Sequence, residues 1–270
     1  MGRPPVPVVS RAVRAGSWTL VASRSYGTTV YRVDGPNSYY VKSGPRRERD
    51  DLRFHPPGEA ERLIWLGRLG FPVPDVVEVG EDADTMWLVT TAIEGRLAAE
   101  RWKPAEEPTV VDMVADLARA LHSLPAEDCP FDRSLTVSLS WARVATREGM
   151  VDTDDLDERH RGWTAEQLLA ELDTTPVPGE EVLVVCHGDL CLDNVLVKPG
   201  TMTLAGICDV GRLGIADRWL DLSVVLRNLT EECEGWHHHA RHADNFLRRY
   251  GLSRIDERKR HYYRLLDEFV

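Results

Sequence analysis

The chain has 270 residues, 43% of them hydrophobic and 29% charged, with a formal net charge of −11. That is an ordinary globular composition with room for one large core or two modest ones, and its acidity argues against a nucleic-acid partner. No apolar run reaches the length of a membrane span, and MGRPPVPVVSR carries prolines where a signal peptide needs its apolar stretch and Val6 where myristoylation needs Ser or Thr, so the expected compartment is the cytoplasm.

The first part of the chain reads as strands with one helix. WTLVAS and TTVYRV flank a glycine-bearing turn, and YYVKS follows DGPN, a hairpin signal. After Pro56–Pro57 the apolar positions Ala60, Leu63, Ile64, Leu66 and Leu69 take a helical period. PDVVEVG and TMWLVTTA then predict two more strands. EGRLAAERWKPAEEP, ending acidic and proline-rich, reads as a linker. Beyond it Val110, Val114, Leu117, Leu121 and Leu124 form one apolar stripe, and TAEQLLAELD a second behind a capping Thr164. DRWLDLSVVLRNL, HADNFLRRYG and DERKRHYYRLLDEFV continue the helical part, interrupted by the short strands EVLVV, VLV and LAGIC. The expected organisation is α+β: a β-rich lobe over residues 1–93, a linker over 94–108 and a mainly helical lobe over 109–270, with a cleft between the lobes.

The five cysteines are an odd, scattered set, unlike a disulfide framework, and Cys186 and Cys208 end apolar runs, as buried thiols do. The pair His238/His242 has metal-chelating spacing but lacks a completing carboxylate or thiol, so a solvated helix face is the better reading.

Chemistry concentrates in VVCHGDLCLDNVLV at residues 184–197 and, after ten more residues, CDVGRLGIADRWLD from Cys208. Phosphoryl transfer needs hard oxygen ligands for magnesium bridging the nucleotide phosphates, and a carboxylate to orient the attacking hydroxyl. Asp189 suits the hydroxyl, Asn194 five residues on offers an amide oxygen to the metal, and Asp209 at the end of the next strand offers a carboxylate. Each alone is more often a loop cap. Together with His187 and Gly188, at these offsets, they should co-occur by chance in roughly one chain in ten thousand. The kinase pattern Asp-x4-Asn followed by Asp-x-Gly is met by Asp189, Asn194 and DVG at 209–211.

HGDLCLDNVLV…ICDVGRLGIADRW resembles the signature of the aminoglycoside phosphotransferases, which share the bilobal protein-kinase-like fold. ERLIWLGRLGFPVPDVVE, ALHSLPAEDCPFDRSL, DLDERHRGW and the terminal LLDEFV resemble the 3′-phosphotransferase branch in particular. The resemblance implies ATP and Mg2+ as cofactors, with Asp189 as the catalytic carboxylate and Asn194 and Asp209 as magnesium ligands. Lys42 would reach the nucleotide phosphates and Glu59 hold it by an ion pair. Tyr40 would lie against the adenine, Thr90 and Ala92 would offer backbone groups to its edge, and the Gly27 turn would cradle phosphate. Arg212 would pair with a phosphate or hold the catalytic loop. Two positions depart from the family: Tyr26 stands where it usually has serine, and Val270 where it usually ends in phenylalanine. The chain also lacks a kinase activation loop, and Gly188 replaces the arginine that reads one, so regulation by phosphorylation is not expected.

An aminoglycoside is a polycation, which a cup of carboxylates can bind. Acids gather in DTDDLDE, in TEECE and at the chain end. By resemblance Asp155, Asp157, Glu158, Arg227, Glu231, Asp267, Glu268 and the Val270 carboxylate form the drug site. The expected activity is ATP-dependent phosphorylation of an aminoglycoside hydroxyl, the 3′-OH, conferring resistance, with no nucleic-acid, membrane or protein partner. The alternatives are a kinase of another hydroxylated antibiotic, such as streptomycin at its 3″-OH, and a non-catalytic binding module, against which intact Lys42, Asp189, Asn194 and Asp209 speak.

Overall fold

A computed structural model describes residues 9–47, 51–232 and 239–270. Cys233, Glu234, His237 and His238 lie outside the described residues, as does Val6. The chain divides into two compact units, residues 1–94 with 206–211, and residues 95–205 with 212–270.

The first unit opens with a single helical turn, α1 (Arg11–Arg14), then β1 (Ser17–Ser23), β2 (Thr29–Asp34) and β3 (Tyr39–Pro45). Helix α2 (Pro56–Arg68) and strands β4 (Val76–Glu81) and β5 (Thr85–Thr91) complete it. The strands form one antiparallel sheet in the order β1-β2-β3-β5-β4. β-Branched and aromatic residues at alternate positions drive this: Tyr31, Val33, Val41, Trp87 and Val89 face one buried cluster with Val9 and Val13. Helix α2 starts where the prolines allow it, with the His55 side chain accepting from the Gly58 N–H. It buries Ala60, Leu63 and Leu66, whereas Ile64 and Leu69 face solvent.

The second unit begins with the short strand β6 (Arg96–Leu97), which pairs with β8 (Val195–Lys198). Of residues 94–108, expected as a linker, all but Glu94 belong to this unit, and Trp102 among them is buried with its indole N–H on the Ala98 carbonyl. Helices α3 (Glu107–His122), α4 (Leu135–Arg147) and α5 (Ala165–Thr174) precede β7 (Leu183–Cys186), and β9 (Thr203–Ile207) follows β8. Strand β10 (Gly214–Asp217) pairs antiparallel with β7, and helices α6 (Trp219–Arg227), α7 (His239–Tyr250) and α8 (Glu257–Asp267) end the chain. The stripe Val110, Val114, Leu117 and Leu121 is buried as its period requires, and α3 packs on α7 and α6 on α8. Thr164 and Gln167 cap α5 reciprocally.

A buried ion pair ties α8 to the end of β10: Lys259 Nζ lies 2.6 Å from Asp217 Oδ2 and donates to the Glu180 carbonyl at 2.7 Å. Asp217 is fully buried and also accepts from the Val182 and Trp219 N–H groups. Removing one partner of such a pair typically costs about 3–5 kcal/mol. Lys259→Met should therefore lower the urea midpoint of this unit strongly, and an unchanged midpoint would show that the pair contributes little.

Candidate active site

In the first unit, β3 carries Tyr40 and Lys42 two residues apart, hence on one face. Lys42 Nζ lies 3.0 Å from Glu59 Oε2, in the first turn of α2, and 2.6 Å from Asp209 Oδ1. Burial by itself would lower the Lys42 pKa, but Asp209 and Glu59 outweigh it and hold the ammonium above the usual lysine range. The site therefore presents a fixed cation at any physiological pH. Asp209 takes a positive φ of 56°. A non-glycine residue keeps that conformation, at a cost of about 1–3 kcal/mol, only where its surroundings enforce it, and such residues cluster at functional sites.

Around this cation, Thr90 pairs in register with Tyr40, whose ring carries the Arg32 guanidinium 5.8 Å from its centroid. The Ala92 N–H donates to the Ser38 carbonyl at 2.9 Å, so that donor serves the sheet. Gly27 has a φ of 87° and closes the β1–β2 turn by donating to the Arg24 carbonyl at 3.0 Å. The neighbouring Tyr26 has its own work. Its ring stacks with the Arg53 guanidinium at 4.5 Å, its carbonyl accepts from Arg47 at 3.0 Å, and Arg53 is paired with buried Asp51 at 2.7 Å. Aromatic and cationic side chains thus anchor the turn.

The second unit holds the loop between β7 and β8. His187, Gly188 and Asp189 follow the last residue of β7. The fully buried Asp221, on α6, accepts from the His187 N–H at 2.7 Å and the Gly188 N–H at 2.8 Å, one oxygen each. His122 lies 3.1 Å from the same carboxylate and is itself 2.7 Å from the Tyr250 hydroxyl. The Asp189 N–H donates to His187 Nδ1 at 3.3 Å, the Asn194 amide nitrogen to the Asp189 carbonyl at 2.9 Å, and the Leu192 N–H to Asn228 Oδ1 at 2.9 Å. The loop backbone is thereby fixed while the Asp189 side chain stays partly exposed. His122, Cys186 and Asp221 bring their ligand atoms within 4.8 Å of one another, yet burial pushes the Cys186 thiol well up and Asp221 is committed to two amides, so the group is a clamp for the loop.

The acids of this unit are not bare. Arg212 Nη1 lies 3.8 Å from Asp189 Oδ2 and 3.6 Å from Asp267 Oδ1. Arg227 Nη1 is 3.1 Å from Asp267 Oδ2 and 3.8 Å from Asp157 Oδ1. Arg264 joins Asp157 to Glu231, with two bonds of 2.6 and 2.7 Å to the Glu231 oxygens. An alternating chain of charge therefore runs from Asp189 to Glu231. Asp155 and Glu158 are exposed beside it. Glu268 turns inward instead: one oxygen is 2.6 Å from His160 Nδ1 and the other accepts from the Asp157 N–H at 3.3 Å. Burial raises the Glu268 and Asp267 pKa values above the usual carboxylate range, against the pull of His160 on the one and of Arg227 and Arg212 on the other. The chain end is pinned by the Trp141 indole N–H on the Phe269 carbonyl at 2.8 Å, which keeps Val270 next to Asp267 and Glu268.

A family model described as the phosphotransferase enzyme family matches residues 17–263. The chain belongs to that family. It is 48% identical over 256 residues to an aminoglycoside 3′-phosphotransferase of Streptomyces fradiae, covering 93% of this chain and 94% of that one. Among solved structures, an aminoglycoside 3′-phosphotransferase of type VIII superposes with a TM-score of 0.85 at 45% identity, covering 96% of this chain and 98% of the other. The aminoglycoside phosphotransferase APH(3″)-Id of Streptomyces rimosus, solved with ADP and streptomycin, superposes with a TM-score of 0.78 at 30% identity, covering 93% and 92%. The resemblance read from the motif holds, and with it the α+β, kinase-like fold of this phosphotransferase.

Sequence reasoning missed Asp221, Asn228, His122 and Arg264. The signal for Asp221 was present: an acid inside the apolar run RWLDLSVVL has to be buried against donors. The loop also depends on Gly188, which has a φ of 85° and where an added Cβ would fall 2.2 Å from the Arg212 carbonyl oxygen. A misplacement of about 1 Å at a reacting group can cost roughly 100-fold in rate. Gly188→Ala in this phosphotransferase should accordingly lower kcat by roughly one to two orders of magnitude, and near wild-type turnover would show that the loop tolerates the side chain.

Proposed function

We propose that this phosphotransferase transfers the γ-phosphoryl group of ATP to the 3′-hydroxyl of an aminoglycoside antibiotic, inactivating the drug. The observation that carries this reading is the charge array of the second unit, in which Asp189 stands in one line with acids suited to an ammonium-rich sugar. The names of the relatives support the substrate class, and the 48% and 45% identity to two 3′ enzymes, against 30% to the streptomycin-bound structure, favours the 3′ position. Because ATP is the phosphoryl donor, the cytoplasm is the proposed compartment. Among the described residues no helix is long and apolar enough to cross a membrane.

Each residue then has a role. Lys42, held by Glu59, binds nucleotide phosphates; Tyr40 lies against the adenine, with Thr90 and Ala92 along its edge; the Gly27 turn covers the phosphates. Asp189 orients the drug hydroxyl and accepts its proton as the oxygen attacks phosphorus. Arg212, beside Asp189, helps to hold that carboxylate in position. Magnesium fits the donor set: the amide nitrogen of Asn194 is committed to the Asp189 carbonyl, which directs its oxygen elsewhere, and Asp209 adds a hard carboxylate oxygen. Asn194 and Asp209 would hold the ion, which supplies neutralisation of phosphate charge. Asp155, Glu158, Asp267 and the Val270 carboxylate receive drug ammonium groups, while Asp157 is already held by Arg264. Arg227 and Glu268 hold Asp267 and Asp157 in place.

Asp189→Ala should reduce kcat at least a hundredfold while drug and nucleotide binding stay within a few-fold, because orientation by a base contributes about 10²–10⁴ to rate. Residual turnover above a tenth of wild type would remove Asp189 from the role. Coupled ATP-consumption assays with a 3′-hydroxylated drug, its 3′-deoxy analogue and streptomycin test the regiochemistry: activity on the first alone is expected, whereas activity on streptomycin alone would favour a 3″-kinase.

Asp267 gives a pH prediction. Its raised pKa means that it begins to take up a proton above the ordinary carboxylate range, and the neutral acid attracts an ammonium less. The KM for the drug should rise as pH falls below neutrality, and the rise should be shallower in Asp267→Asn, whose KM at neutral pH should already be roughly ten- to a hundredfold higher. Equal pH slopes in the two proteins would exclude Asp267 from drug binding.

A further inference from the structure

Arg264 already does to two acids of the second unit what a drug ammonium would do. Its guanidinium bonds Asp157 through Nε at 3.0 Å and through Nη2, and grips both oxygens of Glu231 at 2.6 and 2.7 Å. Asp157 is largely buried, and Glu231 is about half exposed, at 46%. Both line a cavity of about 590 Å³, together with Glu158, Arg260, His261 and Arg264 itself. Burial disfavours the charged arginine, but Glu231 and Asp157 more than offset it and raise its pKa, so Arg264 stays a cation throughout.

We infer that Arg264 is a specificity-determining residue, a built-in cation that occupies the position between Asp157 and Glu231 and so limits how many ammonium groups the cavity rewards in a substrate. This rests on the aminoglycoside reading above. The physical reason is counting. A carboxylate bonded by both prongs of a guanidinium has little remaining attraction for a second cation, and the arginine repels one. A drug carrying an extra amine near this position gains nothing over its hydroxyl analogue while Arg264 is present. Two carboxylates left without it would each seek a donor, and the amine would supply one.

The distinguishing measurement uses drug pairs that differ by one hydroxyl replaced with an amine, kanamycin A against kanamycin B and paromomycin against neomycin. Their dissociation constants are taken by calorimetry and their KM values by ATP consumption, for wild type, Arg264→Gln and Arg264→Lys. Glutamine keeps one donor for the acids and removes the charge; lysine keeps the charge and loses the fork. In Arg264→Gln the amine-bearing member of at least one pair should gain roughly tenfold in affinity relative to its partner. Its binding should also weaken more steeply with salt than in wild type. Arg264→Lys should restore the wild-type ratio. A merely structural arginine would shift both members of a pair alike. Pair ratios in Arg264→Gln within about twofold of wild type would overturn the inference, as would a lysine variant that behaves like the glutamine one. Calorimetry reads these ratios whether or not turnover occurs, and absence of turnover by the wild type on all four drugs would instead overturn the kinase reading.

Discussion

The loop between β7 and β8 depends on one buried carboxylate, Asp221. Asp221 lies in a helix with no exposure to water and gives one oxygen to each of two consecutive loop amides, those of His187 and Gly188. A buried charge without donors is prohibitively costly, and buried amides without acceptors cost about 1–3 kcal/mol each, so each half of the contact requires the other. The geometry then propagates along the chain. Gly188 must take a positive φ, which turns Asp189 back so that its own N–H reaches the His187 ring, and the Asp189 carbonyl is left to collect the Asn194 amide. The side chain proposed for chemistry is the part of this loop that the clamp does not use.

The first unit solves a related problem with opposite charge. Desolvation acting alone would lower the pKa of Lys42. Two carboxylates at 3.0 and 2.6 Å reverse that balance, and one of them, Asp209, is delivered by the segment 206–211 that rejoins this unit after the chain has built much of the other. The positive φ of Asp209 is intelligible on the same terms: the ion pair to Lys42 helps to enforce a backbone conformation that the residue would otherwise leave.

Much of this was legible in the residues, and what was not has definite causes. Strands β1–β5 and β7–β9 and the helices α2, α3, α5, α6, α7 and α8 declare themselves in their apolar runs and periods, whereas β10 does not. Helix α4 does not: its buried face is Ser138, Trp141, Ala142, Ala145 and Thr146, and the polar members hide the stripe. The strand at residues 96–97 and the burial of Trp102 were not legible, because a two-residue strand and a lone buried indole leave no periodic trace. Asp189, Asn194, Asp209, Lys42 and Glu59 stood out because their types and offsets answer one chemical demand. Glu268 shows the limit of such reasoning. Composition presents it as one more surface acid at the chain end, whereas the fold turns it onto His160 and the Asp157 amide.

That limit leads to the organising feature of the second unit. A site for a polycation must concentrate carboxylates, and carboxylates brought together without counter-ions repel and destabilise the fold that carries them. Three arginines interposed among the acids remove this conflict, since each carboxylate has a cation before any ligand arrives: Arg212 for Asp189 and Asp267, Arg227 for Asp267 and Asp157, Arg264 for Asp157 and Glu231. The arrangement also ranks the acids. Asp189, whose Arg212 partner stands 3.8 Å away, keeps most of its attraction for a ligand, while Glu231, gripped by a fork at 2.6 and 2.7 Å, does not. Net charge along a sequence is therefore a poor guide to where a cation binds, and the distance from each acid to its nearest arginine is the better one.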